Sequence, residues 1–316
     1  MIARALVLLG VACLPLRAAP AAAAGCGATT RAPDAPIALV LSGGGAKGAY
    51  EAGVAAVFIE RGLPIRLVAG SSAGALNAAM IADGRVDRLD ALWRGLSRDR
   101  VYSLRTPIVF AGLLPGWLTL LALDRAGSLF DPQPLRELIA AALDLERIRA
   151  SPVRLLVVTT DLARRAPRLF DNRTLTREAL MAAAAVPGAF PAVDVDGALL
   201  VDGGLTGRAP VLEALAAGAG VERAVVVMSY APEERGSPPT TMRRALEEAF
   251  EMGMIHQIRR DVELARLKFP DVELHLLTPS APLALRPLDF DAAGIARALE
   301  RGRADALACL SGWGWR

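Results

Sequence analysis

Arg66-Leu-Val-Ala-Gly-Ser-Ser-Ala-Gly-Ala-Leu-Asn-Ala-Ala-Met80 carries an apolar run, a glycine-flanked turn and the start of a small-residue helix in one continuous stretch. The run ends at Ala69, and Gly70-Ser71-Ser72-Ala73-Gly74 follows at once. Strand, sharp turn and helix in that order are what a Gly-x-Ser-x-Gly nucleophile elbow requires. Gly70 and Gly74 leave room for the turn, so Ser72 stands exposed above the sheet edge and is the candidate nucleophile. The helix behind it points backbone N–H groups and a partial positive charge at its own start, where an oxyanion would form. A Gly-x-Ser-x-Gly alone also describes an ordinary glycine-rich turn, so the flanking strand and helix and the rest of the chain must support it.

Upstream, Ile37-Ala-Leu-Val-Leu41 is a continuous apolar run of the kind found in strands buried on both faces. It passes straight into Ser42-Gly43-Gly44-Gly45-Ala46-Lys47-Gly48, then into a helix reaching about Arg61. The loop lacks the Gly-Lys-Ser/Thr order of a P-loop, and no dinucleotide-binding acidic residue follows in a clear strand. Three glycines before a helix offer free amides to a developing negative charge, which makes Gly43, Gly44 and Gly45 the oxyanion-hole candidates. Lys47 is either an auxiliary positive charge or a solvated lysine at a helix start.

A serine nucleophile needs a base. The chain has only two histidines, His256 within a charged helical stretch and His275 alternating with leucines on a strand. Neither has the loop position after a strand that a triad histidine occupies. Asp202 closes the apolar run Ala198–Val201 and is followed by Gly203 and Gly204, which permit close approach of another backbone. A carboxylate held in a water-poor site can rise in pKa and act as a general base. An Asp-Gly turn is the plain alternative for the same residues.

The glycine loop, the elbow and Asp202-Gly203-Gly204, in that order, resemble the patatin-like phospholipase family. The run Ala182-Ala-Ala-Ala-Val-Pro-Gly-Ala-Phe-Pro191 also resembles the family's segment ending in Pro-x-x-Phe-Pro, although alanine replaces a serine often found there. The resemblance spans about Ile37 to Asp202, and more loosely the closing segment from Leu288. It implies a three-layer α/β/α fold with a mostly parallel central sheet and a Ser72–Asp202 dyad with an oxyanion hole at Gly43–Gly45. It further implies cleavage of fatty-acyl esters of phospholipids, lysophospholipids or neutral lipids without metal or organic cofactor. The rival readings are a carboxylesterase or thioesterase for soluble substrates, and a catalytically silent lipid-binding protein.

The remaining patterns agree with alternating strands and helices. Helices are expected at Val86–Leu96, from Asp131-Pro-Gln-Pro onward, at Leu175–Ala185, near Thr241–Leu267 and around Asp291–Leu310. Strands are expected at Leu155–Thr160, Ala192–Val195, Ala198–Val201, Val221–Tyr230 and Val272–Thr278. The interrupted apolar segment Ile108–Leu123 reads as a lid over an acyl pocket or as core helices.

The chain of 316 residues, 53% hydrophobic, has the length for one large α/β domain or two small ones. Residues 1–25 read as a signal peptide, 26–36 as a tether and 37–316 as the hydrolase domain. Without Arg4 and Arg17 of the leader, 34 basic residues face 33 acidic ones, a balance that gives no footprint for nucleic acid. Ala23-Ala24-Gly25-Cys26 resembles a lipobox, which makes Cys26 a lipidation candidate; without lipid, a Cys26–Cys309 disulfide is the alternative. The expected location is the periplasm or outer membrane as a lipoprotein, or outside the cell, with a membrane surface as partner. No metal-ligand spacing is present, and oligomeric state is not encoded in any of these patterns.

Overall fold

Alternate burial on both faces sets the architecture. In β1 (Ile37–Leu41), Ile37, Leu39 and Leu41 join one core while Ala38 and Val40 join a second on the opposite face. A computed structural model describes residues 26–105, 108, 118, 125, 127–232 and 238–315. The leader and almost all of Ile108–Leu123 lie outside the described residues.

Five parallel strands form most of the sheet: β10 (Glu273–Leu277), β9 (Arg223–Val227), β1, β2 (Ile65–Gly70) and β5 (Arg154–Asp161), in that order. Beyond them the sheet turns antiparallel through β6 (Ala166–Asp171), β8 (Ala198–Asp202) and β7 (Val193–Val195). A separate two-stranded ribbon joins β3 (Ser103–Leu104) to β4 (Phe130–Asp131). On one face lie α1 (Gly48–Glu60), α2 (Ala73–Ala82), α3 (Val86–Arg94), α7 (Arg177–Ala183) and α10 (Ala292–Gly312). The other face is covered by α8 (Val211–Ala216) and α9 (Met242–Lys268). The shorter α4 (Arg98–Val101), α5 (Gln133–Ala142) and α6 (Leu145–Arg149) pack at the first face's margin. This is the expected three-layer fold with a mostly parallel sheet.

The helix signals hold with small shifts. Thr241 and Asp291 are N-caps, accepting bonds from the amides of Arg244 and Gly294. Asp131 instead ends β4, although its carboxylate still accepts from the Gln133 amide at 2.9 Å. β6 was not apparent in the sequence. Its solvent-facing polar residues and Pro167 dilute the apolar run, and its pairing with β5 supplies the order that local propensity lacks.

The register along β5 explains how distant segments meet. β6 occupies one edge of β5, leaving the other for β2 over Arg154–Val157 and β8 over Thr159–Asp161. Gly70 pairs with Val157 and Asp202 pairs with Thr159. The C-terminal ends of β2 and β8 therefore approach head to head on one shared edge, two residues of β5 apart.

At the chain's start, Cys26 and Cys309 form a disulfide with a Cα–Cα distance of 5.3 Å. The Cys26 sulfur is thus committed to Cys309 and cannot carry a lipid thioether, which corrects the lipidation expectation. The segment after it lies along β10: Thr30 donates to Glu273, and the Trp313 indole donates to the Gly27 carbonyl. Among the described residues no helix is long and apolar enough to cross a membrane.

Candidate active site

Ser72 sits at the junction of β2 and α2 with φ 54° and ψ −135°, a conformation non-glycine residues rarely adopt. Gly70 and Gly74 make it attainable. A Cβ on Gly70 would stand 2.3 Å from the Gly74 carbonyl oxygen, and one on Gly74 would stand 2.5 Å from that of Leu41. The elbow is therefore built as the Gly-x-Ser-x-Gly spacing predicts.

The alanine-rich segment after β6 braces both functional residues. The Ser72 amide donates to the Ala183 carbonyl and the Asp202 amide to the Ala185 carbonyl, each at 3.0 Å. One short piece of chain thus sets the spacing between elbow and carboxylate. Gly203 permits the approach, since a Cβ there would lie 3.2 Å from that of Ser71.

Asp202 is fully buried. Burial pushes its carboxyl pKa up; Arg208, the Gly204 amide and the Ser72 hydroxyl pull part of that rise back. Oδ1 accepts from the Gly204 amide at 2.7 Å, whereas Oδ2 has no well-aligned hydrogen-bond partner among the described residues. The Ser72 hydroxyl is near enough to this carboxyl to lower its pKa. The structure thus brings Ser72 and Asp202 together. His256 is exposed on α9, buried His275 binds the Cys26 carbonyl and Glu273, and neither lines the cavity at Ser72.

Gly43, Gly44 and Gly45 have φ of 75°, 125° and 58°, which only glycine accommodates readily in succession. Their three amides are not equivalent. That of Gly43 donates to Glu51 Oε1 at 2.7 Å and is unavailable to an oxyanion, a correction to the sequence-based assignment. Gly44 and Gly45 line the cavity beside Ser72, and their amides have no acceptor among the described residues. Lys47 is also redirected: it is buried, with its ammonium 4.0 Å from the Tyr230 ring centre and 3.5 Å from Glu251. It is not among the residues that line the cavity.

Two residues of the candidate site were not singled out from sequence. Glu51, fully buried in α1, accepts from the Ser42 hydroxyl as well as from Gly43, and burial raises its pKa to about 8. Its signal was a lone charge within the apolar run of α1. Arg208, 2% exposed, places its guanidinium 4.0 Å from Asp202 Oδ1; as a single arginine in a loop it carried no periodic signal.

Ser72 opens into a cavity of about 980 Å³, mostly apolar, between α2, α3, α5 and the segment leading to α10. Leu76, Met80, Trp93, Leu135 and Ile139 supply aliphatic and indole surface, and Tyr102, Phe130, Phe190 and Phe290 form a mutually packed aromatic wall. Among the described residues no group of three or more histidine, cysteine, aspartate or glutamate side chains is placed to hold a metal.

A three-layer α/β fold with a serine elbow facing a buried carboxylate and an apolar cavity defines the class. Residues 39–215 match the patatin-like phospholipase family model, and the chain belongs to that family. It is 32% identical over 175 residues to an uncharacterised NTE family protein of Mycobacterium tuberculosis, covering 55% of this chain and 44% of that relative. It is also 29% identical over 196 residues to patatin-like phospholipase domain-containing protein 7 of Mus musculus, covering 61% of this chain and 14% of that relative. The chain therefore spans less than half the length of these curated relatives. Among solved structures, VipD from Legionella pneumophila is similar with a TM-score of 0.49 at 17% identity, covering 89% of this chain and 67% of that one. The type III effector ExoU aligns with a TM-score of 0.37 at 18% identity, covering 89% and 53%.

Proposed function

We propose that the protein is a serine acyl hydrolase that cleaves fatty-acyl ester bonds of phospholipids or lysophospholipids. The observation that carries this reading is Ser72 on its strained elbow, beside buried Asp202, at the wall of an apolar cavity of about 980 Å³. Asp202 accepts the Ser72 proton as the hydroxyl oxygen attacks the ester carbonyl. The amides of Gly44 and Gly45, with the N-terminus of α2, receive the charge on the tetrahedral oxyanion. The alcohol or lysolipid leaves with a proton from Asp202, and the acyl chain stays bonded to Ser72 in the apolar cavity. Asp202 then takes a proton from water, whose oxygen attacks the acyl carbonyl; the fatty acid departs as the Ser72–acyl bond breaks, and Asp202 returns that proton to the Ser72 oxygen. The rival reading is a carboxylesterase or thioesterase for soluble acyl substrates, using the same residues.

The test is fatty-acid release from phospholipid, lysophospholipid and a short-chain soluble ester. Ser72→Ala should lower each measurable rate by about 10³-fold or more while leaving the circular dichroism spectrum unchanged. Release from the soluble ester alone favours the rival; undiminished release by Ser72→Ala removes both readings. We further read the chain as exported, to the periplasm or outside the cell and acting at a membrane surface. The apolar leader and the Cys26–Cys309 disulfide support this, since such bonds persist in oxidising compartments.

A further inference from the structure

We propose that Arg208 is a positioning residue for the dyad: its buried guanidinium, beside Asp202 and the glycine loop, holds Asp202 ionised so that Oδ2 can take the Ser72 proton. The inference rests on the Ser72–Asp202 reading above and adds a residue to it. Three observations place the guanidinium there. Its Nη1 is 4.0 Å from Asp202 Oδ1, and Nη2 lies 3.6 Å from the point where a Gly44 Cβ would stand. The side chain is 2% exposed, and its Nε is buried with no hydrogen-bond partner among the described residues. Arg208 also lines the cavity together with Gly44, Gly45 and Ser72.

A buried guanidinium with an unsatisfied nitrogen is costly unless its charge offsets something. Here two desolvated acids flank it: Asp202 from β8 and Glu51 from α1, and its charge lowers the pKa of both. Among the described residues, Ser72 is the other side chain that acts on Asp202. The remaining charged groups around the cavity stand on other elements: Glu247 and Glu251 on α9, Arg286, Asp289 and Asp291 before α10, and Arg98 and Asp99 on α4. Lys47 is held by Glu251 and Tyr230. Among the described residues, Arg208 is therefore the cation that acts on Asp202. Its backbone carbonyl also accepts from the Ser71 hydroxyl, so the residue is tied to the elbow through its backbone and to Asp202 through its guanidinium.

The sign follows from the charge. Without Arg208, the Asp202 pKa rises, and a smaller fraction is ionised at neutral pH. The acid limb of kcat/KM should then move to higher pH, by about 1–3 pH units for the loss of an opposite charge at this distance. Arg208→Gln should lose about tenfold or more at pH 7 and recover towards the native rate at pH 9. Arg208→Lys keeps the charge and should leave the limb near its native position. The same profiles are read on ester hydrolysis and on phosphonylation of Ser72 by a fluorophosphonate, in which the Ser72 oxygen bonds to phosphorus, fluoride leaves and Asp202 takes the proton. The second readout needs no lipid.

A limb that stays in place while the rate falls equally at every pH overturns the inference, as does a folded Arg208→Lys displaced as far as Arg208→Gln. Should Arg208→Gln fail to fold, Arg208→Gln combined with Glu51→Gln removes one of the two buried acids and carries the same expected displacement. Labelling of Ser72→Ala as fast as the native chain marks instead a failure of the dyad reading.

Discussion

At the scale of single residues, the site concentrates costs that the rest of the molecule offsets. Ser72 holds a rare backbone conformation, and Glu51 and Asp202 are carboxyls kept out of water. Glu51 allows a clean test, because burial raises its pKa to about 8 while its bonds to Ser42 and Gly43 position the glycine loop. In the folded chain it keeps its proton over the range where the unfolded chain loses it. The stability linked to that proton is present below the unfolded carboxyl pKa, near 4.5, and is lost as pH rises through about 8. Glu51→Gln removes this dependence. Its melting temperature relative to the native chain should therefore rise steadily between pH 5 and pH 8. At about 1.36 kcal/mol per pKa unit the relative change amounts to a few kcal/mol. A difference that is flat with pH contradicts the assignment.

At the scale of elements, two connections hold the architecture. One is β5, whose free edge seats β2 and β8 end to end and sets the distance between Ser72 and Asp202. The other is the disulfide joining residue 26 to the last helix across a sequence separation of 283. A closure of that length restricts the unfolded chain strongly, and the segment it fastens covers His275 and the end of β10. Cys309→Ser should lower unfolding free energy by about 2–5 kcal/mol, read as a shift in the denaturant midpoint. Adding reductant to the native chain should reproduce the shift, and adding it to Cys309→Ser should do nothing. An unchanged midpoint in Cys309→Ser shows that the disulfide adds no stability.

At the scale of the whole molecule, the cavity joins the proposed Ser72–Asp202 pair to the larger of the two cores. Most of its lining comes from helices packed on the same sheet face as α1 and α2, with Phe250 and Met254 of α9 added, so the proposed acyl site and the core draw on shared apolar side chains. Met80 lines this space and is 4% exposed. Met80→Trp places a larger ring there. It should lower kcat/KM on long-chain esters by about tenfold or more, with activity on a short-chain soluble ester kept within about threefold. Equal losses on both would mean that the acyl chain does not occupy this cavity.

Local constraints were legible in the sequence alone: the apolar runs of β1 and β2, the elbow with Ser72, the glycine loop, Asp202 before two glycines, and the helices starting near Thr241 and Asp291. Each depends on residues a few positions apart, where sterics and hydrogen bonding need no distant partner. The tertiary structure decided the rest. It committed the Gly43 amide to Glu51 and turned Lys47 towards Tyr230 and Glu251. Cys26 became bonded to Cys309, β6 was ordered against β5, and Arg208 came to rest beside Asp202. These outcomes arise from pairings across most of the chain and from the low dielectric that exists only once the layers have closed, so no local pattern carries them.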